Sequence, residues 1–147
     1  KKKKMEFEKL KEEVKEHEGF RNQVYKDTLN KRTIGFGHLC RDDEKWEDGK
    51  VYDNKELEKV FEVDFSVAQR GAMSLFDNYE SLPQLVKEVC IEACFVIGTT
   101  GFSKFKKTLE LIKNEQYTEA SEEIKSSLWY RQVPHRVEML SKKLREV

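Results

Sequence analysis

The chain has 147 residues, and its formal net charge is 0 because 28 lysines and arginines balance 28 aspartates and glutamates. Charged residues make up 38% of the chain and apolar residues 37%, so no stretch approaches the ~18 apolar residues of a transmembrane helix. The neutral balance also excludes a dedicated nucleic-acid binder, and 11% aromatic residues argue against a disordered chain. We therefore expect one soluble, monomeric domain with a heavily charged surface and no stable membrane insertion.

The cysteines and histidines show no pattern of a disulfide framework or a metal site. Three cysteines are an odd number, and no two of them form a C-x-x-C pair. The histidines are isolated from one another, so zinc-ligand spacing is absent and we expect no metal and no cofactor. We predict that the cysteines are core residues; the residues concerned are Cys40, Cys90, Cys94, His17, His38 and His135.

The first predicted element is an amphipathic helix over residues 6–17, because its apolar residues recur on one helical face between charged ones. Gly19 is a natural helix stop, so Glu18 is expected in the last turn. Two groups of β-forming residues then flank the turn DTLNK between residues 20 and 39, which predicts a short hairpin or meander. Glycines on both sides of Phe36 suggest that another group closely approaches the backbone there.

Helices are predicted for the rest of the chain, after a polar connection. Asp53 begins a capping box, which predicts a long helix over about 53–78. Pro83 begins another helix, apolar on most sides like the central helix of a bundle, that Gly98 and Gly101 are expected to end. Further helical stretches are predicted near 103–113, 118–127 and 135–146, the second with Thr118 as its N-cap. The fold class is therefore α+β. We expect a small β lobe at about 20–52 and a helical lobe at about 53–147, and we expect the helix 6–17 to pack on the helical lobe. A long helix joining two lobes creates a cleft, where ligands bind.

Two carboxyl groups and a hydroxyl are expected near the junction of the lobes. Glu18 lies at a helix end, Asp27 in a strand–turn segment nine residues on, and Thr33 six residues further. Such a set can protonate a leaving oxygen and position a water, as glycoside hydrolysis requires. The alternative is a solvated helix-end glutamate, a turn-forming aspartate and a strand threonine, and spacing alone favours that alternative.

The segment HEGFRNQVYKDTLNKRTIGFGHL resembles the E-G-x-R-x-x-x-Y-x-D-T…T-I-G-x-G-H-L signature of phage-type lysozymes, the muramidases typified by the lysozyme of T-even bacteriophages. The resemblance continues through FEVDFSVAQRG and SSLWYRQVPHR, so it spans nearly the whole chain as a single domain over 5–147. It implies a lysozyme-like fold and hydrolysis of the β-1,4 bond between N-acetylmuramic acid and N-acetylglucosamine. It also implies that Glu18 is the general acid and that Asp27 and Thr33 hold the attacking water.

Supporting residues carry over from the same resemblance. His38 and Asp64 match an ion pair between the lobes, and Arg136 matches an arginine that reaches toward the catalytic glutamate. Trp129 matches a tryptophan of the helical core. The residues at or near the family's saccharide groove are Gly37, Leu39, Phe95, Phe105 and Glu123, of which Phe105 and Glu123 need gaps to align. The connection after His38 is shorter than is typical, so a helix of the small lobe is expected to be missing.

The resemblance leaves the biological setting open. The partner it implies is bacterial peptidoglycan, with no nucleic acid, and the activity it implies is endolysin-type lysis of bacterial cells. The alternatives are a catalytically inactive or virion-associated wall-binding module and a lytic transglycosylase. The start KKKKMEFEKLKEE has no secretory signal, and Met5 is predicted as the natural start with Lys1–Lys4 appended. We therefore expect a host-cytoplasmic protein that reaches the wall through a holin-type pore, or else a tail protein of the virion.

Overall fold

A computed structural model of the chain describes residues 6–147. Contacts divide the chain into two compact units, with the boundary after Ser66. The single domain over 5–147 and its lobe bounds stay predictions, and the predicted start at Met5 after Lys1–Lys4 lies outside the described residues.

The elements confirm the predicted α+β, lysozyme-like class: several helices accompany one small sheet. The first unit contains α1 (Glu8–Glu18), β1 (Arg21–Lys26), β2 (Arg32–Gly35), β3 (His38–Leu39) and the first part of α2 (Asn54–Ser74). The second contains the rest of α2, then α3 (Gln84–Ser103), α4 (Lys106–Lys113), α5 (Tyr117–Glu123), α6 (Leu128–Gln132) and α7 (Pro134–Arg145), with 3-10 turns at Tyr79–Ser81 and Ile124–Ser126. Among residues 6–147, no helix has the length and apolar character needed to cross a membrane.

Helix α1 forms and ends as the sequence predicts. It buries Leu10 and Val14 on one face, and Gly19, with a φ of 74°, ends it so that Glu18 is its last residue. Two ion pairs join α1 to α2 within the first unit: Lys11 Nζ lies 2.9 Å from Glu62 Oε1 and Lys15 Nζ lies 2.7 Å from Glu58 Oε1. These pairs fix the direction of α1 and thereby the place where Glu18 emerges.

The predicted meander is confirmed as a three-stranded antiparallel sheet in the order β1-β2-β3. Tyr25 pairs with Thr33 across β1 and β2, and Thr33 pairs with Leu39 across β2 and β3. Directly paired residues point to the same face of a sheet, so these three form one row across it. Ile34 points the opposite way, where it is fully buried in a cluster with Tyr52 and Leu57.

The connection from the sheet to α2 contains no helix, since residues 40–53, all of them described, form only turns and extended chain. This agrees with the expected loss of a small-lobe helix. The predicted N-cap of α2 is confirmed, because Asp53 Oδ1 accepts a hydrogen bond of 3.2 Å from the Lys55 amide. The predicted end near residue 78 is wrong. The helix ends at Ser74, where the amide of Leu75 bonds three residues back, to Ala72, and tightens the chain into a turn.

Helix α3 is buried on most sides, as predicted, and both of its cysteines are core residues: Cys90 is fully buried and Cys94 is 4% exposed. Burial raises the pKa of both thiols, that of Cys94 to about 11. Cys40, in contrast, is only partly buried at the edge of the first unit's core. The predicted end of the helix is half right. Gly98, with a φ of 79°, breaks the helical backbone, but a further helical turn continues past Gly101 to Ser103.

The last predicted helices differ from the structure in their starts and number. Helix α5 begins at Tyr117 after an N-cap at Gln116, so the predicted N-cap at Thr118 is wrong. The short helix α6 was not predicted; its start is fixed by the Ser127 hydroxyl, which accepts a hydrogen bond from the Tyr130 amide. Trp129, on α6, is 6% exposed and belongs to the core of the second unit, as expected.

Candidate active site

The carboxylate of Glu18 lies directly against the backbone of Gly37. A Cβ atom added to Gly37 would collide with Glu18 Oε1 and lie only 3.0 Å from Cδ. Gly37 also has a φ of 76°, in the region that glycine adopts most readily. The close approach expected at this glycine is therefore that of the Glu18 carboxylate, delivered by the end of α1.

Aromatic packing holds the chain on either side of this contact. Phe36 packs between Phe20, with ring centroids 4.8 Å apart, and Phe61 of α2, at 5.5 Å. Phe61 is 1% exposed, so this stack anchors the turn between β2 and β3 to the core of the first unit. Phe36, the residue next to Gly37, therefore holds this turn against the chain that follows α1.

Asp27 and Thr33 are joined through a single carbonyl oxygen. The carbonyl of Lys31 accepts a hydrogen bond of 2.9 Å from the Asp27 amide and another of 2.9 Å from the Thr33 hydroxyl. Asp27 Oδ1 accepts hydrogen bonds from the amides of Leu29 and Lys31, both at 2.9 Å, which closes the turn after β1. Its second oxygen, Oδ2, takes no hydrogen bond from any residue in the described part of the chain.

The charges of Glu18 and Asp27 both act on the phenol of Tyr25. Burial raises the pKa of the Tyr25 phenol, and the negative charges of Glu18 and Asp27 raise it further against the opposing charge of Arg21. The Arg21 guanidinium lies over the Tyr25 ring at 4.6 Å from its centroid. Tyr25 also pairs directly with Thr33 in the register of β1 and β2.

His38 is held between two carboxylates of the first unit. Its Nδ1 lies 2.7 Å from Asp64 Oδ2, and its Nε2 lies 3.0 Å from both oxygens of Glu44. The hydrogen bond to Asp64 raises the pKa of His38, and Glu44 adds to this against the opposing effect of burial. Burial would raise the pKa of Glu44, but hydrogen bonds from the Arg41 amide and from His38 outweigh it and lower that pKa. The carboxylates at both ring nitrogens therefore favour the charged imidazolium. This arrangement indicates a structural role for His38.

We predict that His38→Gln lowers the free energy of unfolding by about 2 kcal/mol near pH 5.5, the scale of a hydrogen bond between charged groups. The pKa of His38 is raised above its ordinary value of 6.5 in the folded protein. The charged His38 therefore contributes its full stabilisation below pH 6.5. That stabilisation is lost as the pH rises through the folded pKa. Glu44, whose pKa is lowered, contributes its stabilisation above its ordinary pKa of 4.5. Both groups therefore stabilise the protein fully between pH 4.5 and pH 6.5. Urea unfolding of both proteins from pH 5 to pH 10 measures the difference.

His135→Gln is the matched control, since His135 is exposed in the second unit. It is expected to change the unfolding free energy by less than about 0.5 kcal/mol at every pH. A His38→Gln difference that stays constant with pH would show that packing of the ring, rather than its charge, stabilises the fold.

Arg136 pairs with a buried glutamate of its own unit. Its Nε donates a hydrogen bond to Glu92 Oε2, and the two side chains are 13% and 2% exposed. Glu92 had not been predicted as a partner. The predicted contact between Arg136 and Glu18 would join residues of the two units and stays a prediction.

The predicted groove residues lie in both units. Leu39 is 49% exposed in the row beside Thr33, while Gly37 packs on Glu18. In the second unit Phe105 and Glu123 line the same pocket, which has a volume of about 360 Å³. Phe95 is partly buried on α3. The gapped alignment therefore selected two residues, Phe105 and Glu123, that the fold brings together.

Sequence reasoning missed two contacts besides that of Glu92. Tyr25 belongs to the signature but received no role, and its pairing with Thr33 depends on a strand register that the sequence does not state. Glu44 lies in the charged run RDDEKWEDGK, where nothing distinguishes it from its neighbours. Among residues 6–147, no three side chains of metal-binding type come close enough together to hold an ion.

Comparison with known proteins finds similar sequences that cover most of the chain. Residues 15–145 match the family described as Phage lysozyme. "Probable T4-type lysozyme 2" of Dictyostelium discoideum is 33% identical over 149 residues, which cover 86% of this chain and 88% of that protein. "Probable T4-type lysozyme 1" of the same organism is 32% identical over 151 residues, with the same coverage. The matched range includes Glu18, Asp27, Thr33 and Arg136.

Proposed function

The chain belongs to the phage lysozyme family of muramidase-type peptidoglycan hydrolases, and from this premise we propose which residues perform the hydrolysis. Glu18 is the general acid, and Asp27 and Thr33 position the attacking water. The bond cleaved is the β-1,4 linkage between N-acetylmuramic acid and N-acetylglucosamine. The observation that carries this assignment is the carbonyl of Lys31, which accepts hydrogen bonds from both the Asp27 amide and the Thr33 hydroxyl and so holds the two water-positioning residues together.

The hydrogen bonds of Asp27 and Thr33 suit them to hold a water. The Thr33 hydroxyl donates its proton to the Lys31 carbonyl, so its lone pairs remain as acceptors for a water hydrogen. Asp27 uses Oδ1 to close its own turn, and Oδ2 is left to accept a proton within the described structure. Two acceptors anchored to one carbonyl orient the water oxygen toward the anomeric carbon.

The proposed reaction is a single displacement. Glu18 donates its proton to the glycosidic oxygen as the bond from that oxygen to the anomeric carbon breaks. The water oxygen bonds to the same carbon from the opposite face, and its proton passes to Asp27 Oδ2. A water held between carboxylate and sugar leads to inversion at the anomeric carbon. Phe36 and Gly37 keep the acid in place through the contacts described above.

The test replaces Glu18 by glutamine and follows the release of reducing ends from purified peptidoglycan. We expect hydrolysis to be lost, because glutamine keeps the shape of the side chain but has no acidic proton to transfer to the leaving oxygen. Glu16→Gln is the matched control: Glu16 is an exposed residue of α1, two positions earlier, and its replacement should leave the rate unchanged. Asp27→Asn and Thr33→Val are expected to lower the rate as well.

Product masses separate the alternatives. Reducing muropeptides from the unaltered protein support hydrolysis, whereas anhydro-muramic products would identify a lytic transglycosylase. Binding to peptidoglycan with neither product would identify an inactive wall-binding module. Wild-type turnover by Glu18→Gln would remove Glu18 from the acid role.

We extend the proposal to lysis of bacterial cells by a monomer acting on the wall. Export from a host cytoplasm through a holin-type pore, or delivery on a virion tail, is proposed from the sequence resemblance alone. Clearing of a bacterial suspension by added protein, with Glu18→Gln as the inactive control, tests the lytic role. Clearing only after the outer barrier is opened would indicate that the protein needs assisted passage to the wall.

A further inference from the structure

Strand β1 is distorted between Arg21 and Tyr25. Arg21 pairs with Gly35 of β2 at the start of the strand. Tyr25 pairs with Thr33 further along, so four residue steps on β1 face only two on β2. The extra residues form a bulge in β1. Bulges bend a strand and redirect its side chains, and they are common beside active sites.

The bulge lets consecutive residues line one cavity. In a regular strand, neighbouring side chains point to opposite faces of the sheet. Here the six consecutive residues 20–25 line a single cavity of about 460 Å³. The Asn22 carbonyl within the bulge accepts a hydrogen bond of 2.9 Å from the Tyr52 amide, which ties the distorted strand to the connection before α2. The distortion therefore produces a cavity of the size that small ligands occupy.

Arg21 is the one charged residue among the six that line this bulge cavity. Its guanidinium lies 4.6 Å from the centroid of the Tyr25 ring, and no carboxylate within residues 6–147 forms an ion pair with it. A guanidinium stacked on an aromatic ring keeps its planar fork of donors for another partner. The cavity therefore has a positive charge that none of its own walls balances.

Both ends of the bulge cavity adjoin the residues of the proposed reaction. At one end Phe20 packs on Phe36, with ring centroids 4.8 Å apart, and Phe36 precedes the glycine that lies against the proposed acid. At the other end Tyr25 pairs with Thr33, one of the two water-positioning residues. A substrate group bound in the cavity would therefore lie beside the proposed catalytic residues of the first unit.

The remaining walls of the cavity suit a muramyl peptide. Asn22 and Gln23 carry amides with both donors and an acceptor, which match acetamido and peptide groups. The ring of Phe20, 39% exposed, adds an apolar surface for a sugar or a methyl group. The peptide stems of peptidoglycan carry carboxylates, and a guanidinium binds a carboxylate through two parallel hydrogen bonds.

We propose that the bulge cavity binds a carboxylate-bearing muramyl peptide of the wall substrate. Arg21 donates hydrogen bonds to the carboxylate, and the side-chain amides of Asn22 and Gln23 bind the neutral amide groups beside it. A phosphate of a wall polymer is a second source of oxyanion, and the experiment separates the two. The wall as the source rests on the proposed function, whereas the cavity and its unbalanced charge rest on the contacts above.

Nuclear magnetic resonance titration of the full chain tests the site directly. The probes are N-acetylmuramyl-L-alanyl-D-isoglutamine, which carries one carboxylate, the amide of that carboxylate, and inorganic phosphate. We expect a saturable shift at the backbone amides of residues 21–25 with the free acid, and at least about tenfold weaker binding of the other two probes. Arg21→Gln should weaken binding of the acid by a similar factor, and Arg21→Lys should restore part of it because the charge is kept but the fork is lost.

Arg131→Gln is the matched control, since it removes an exposed arginine of α6 and changes the net charge equally. It should change the affinity less than about twofold. Urea unfolding of each variant confirms that the fold is intact. No saturable shift at residues 21–25, equal binding of the acid and its amide, or phosphate binding as tight as that of the acid would overturn the proposal.

Hydrolysis provides a second readout. Arg21→Gln should raise KM for peptide-bearing glycan strands about tenfold with kcat unchanged, and should leave KM unchanged for strands whose stems an amidase has removed. An equal rise in KM for both substrates would show that Arg21 does not bind the stem. If the protein hydrolyses neither substrate, the proposed function fails, while the titration still decides whether the cavity binds the muramyl peptide.

Discussion

Replacing Gly37 by alanine is expected to lower peptidoglycan hydrolysis about 100-fold in a protein that still folds. The added methyl group would collide with the carboxylate of Glu18 and force the proposed acid away from the bond it protonates. A displacement on the order of 1 Å is enough for a loss of this size. The strain of alanine at a φ of 76° should lower the free energy of unfolding by about 1–2 kcal/mol, which a typical domain tolerates.

Gly49→Ala is a closely matched control for that strain. Gly49 has a φ of 81°, but a Cβ atom added there would meet nothing within 4 Å. The two variants should therefore lose similar stability in urea unfolding, while only Gly37→Ala loses activity. Equal activity in the two variants would show that Glu18 does not depend on its contact with Gly37.

Arg136→Met is expected to lower the free energy of unfolding by about 3 kcal/mol, because it leaves the buried Glu92 without its guanidinium partner. Glu92 is 2% exposed, so water cannot readily replace that partner. Chemical unfolding at neutral pH measures the loss. The same variant should also lower hydrolysis if Arg136 reaches the catalytic glutamate, which is an independent readout.

Two further variants show whether the pair itself is responsible. Arg131→Met removes an exposed arginine of α6 and should change stability by less than about 0.5 kcal/mol. The double variant Glu92→Leu with Arg136→Met should recover most of the lost stability, since an apolar pair needs no charge balance. If the double variant is as unstable as Arg136→Met alone, the cause lies in packing around position 136.

Much of the fold could be predicted from local signals. Gly19 and Asp53 mark helix ends through backbone and capping chemistry that acts within a few residues. The end of α2 and the helical turn after Gly98 were both missed. The turn after Gly98 contains the fully buried Phe102, and tertiary packing of this kind overrides local preference. The start of α6 did carry a local signal, the capping hydroxyl of Ser127.

In the candidate site, too, some residues could be predicted from sequence patterns and others depend on tertiary packing. Glu18, Asp27 and Thr33 were selected because their spacing matches a signature, and Gly37 because paired glycines indicate a close approach. The hydrogen bond from His38 Nε2 to the Glu44 carboxylate was not predicted, since it depends on how residues 40–53 fold back on the sheet. Glu92 likewise became visible only when α7 was placed beside α3.

The Lys31 carbonyl that joins Asp27 and Thr33 has a consequence for how this turn can vary. A backbone oxygen is the same for every residue, so the side chain at position 31 is free to change while the link remains. Leu29, 65% exposed at the tip, is similarly open to replacement. The number of residues between Asp27 and Lys31 is not free, because one insertion or deletion would move the carbonyl, and Thr33 with it, away from the Asp27 amide. Related sequences and engineered libraries should therefore vary in composition here and remain constant in length.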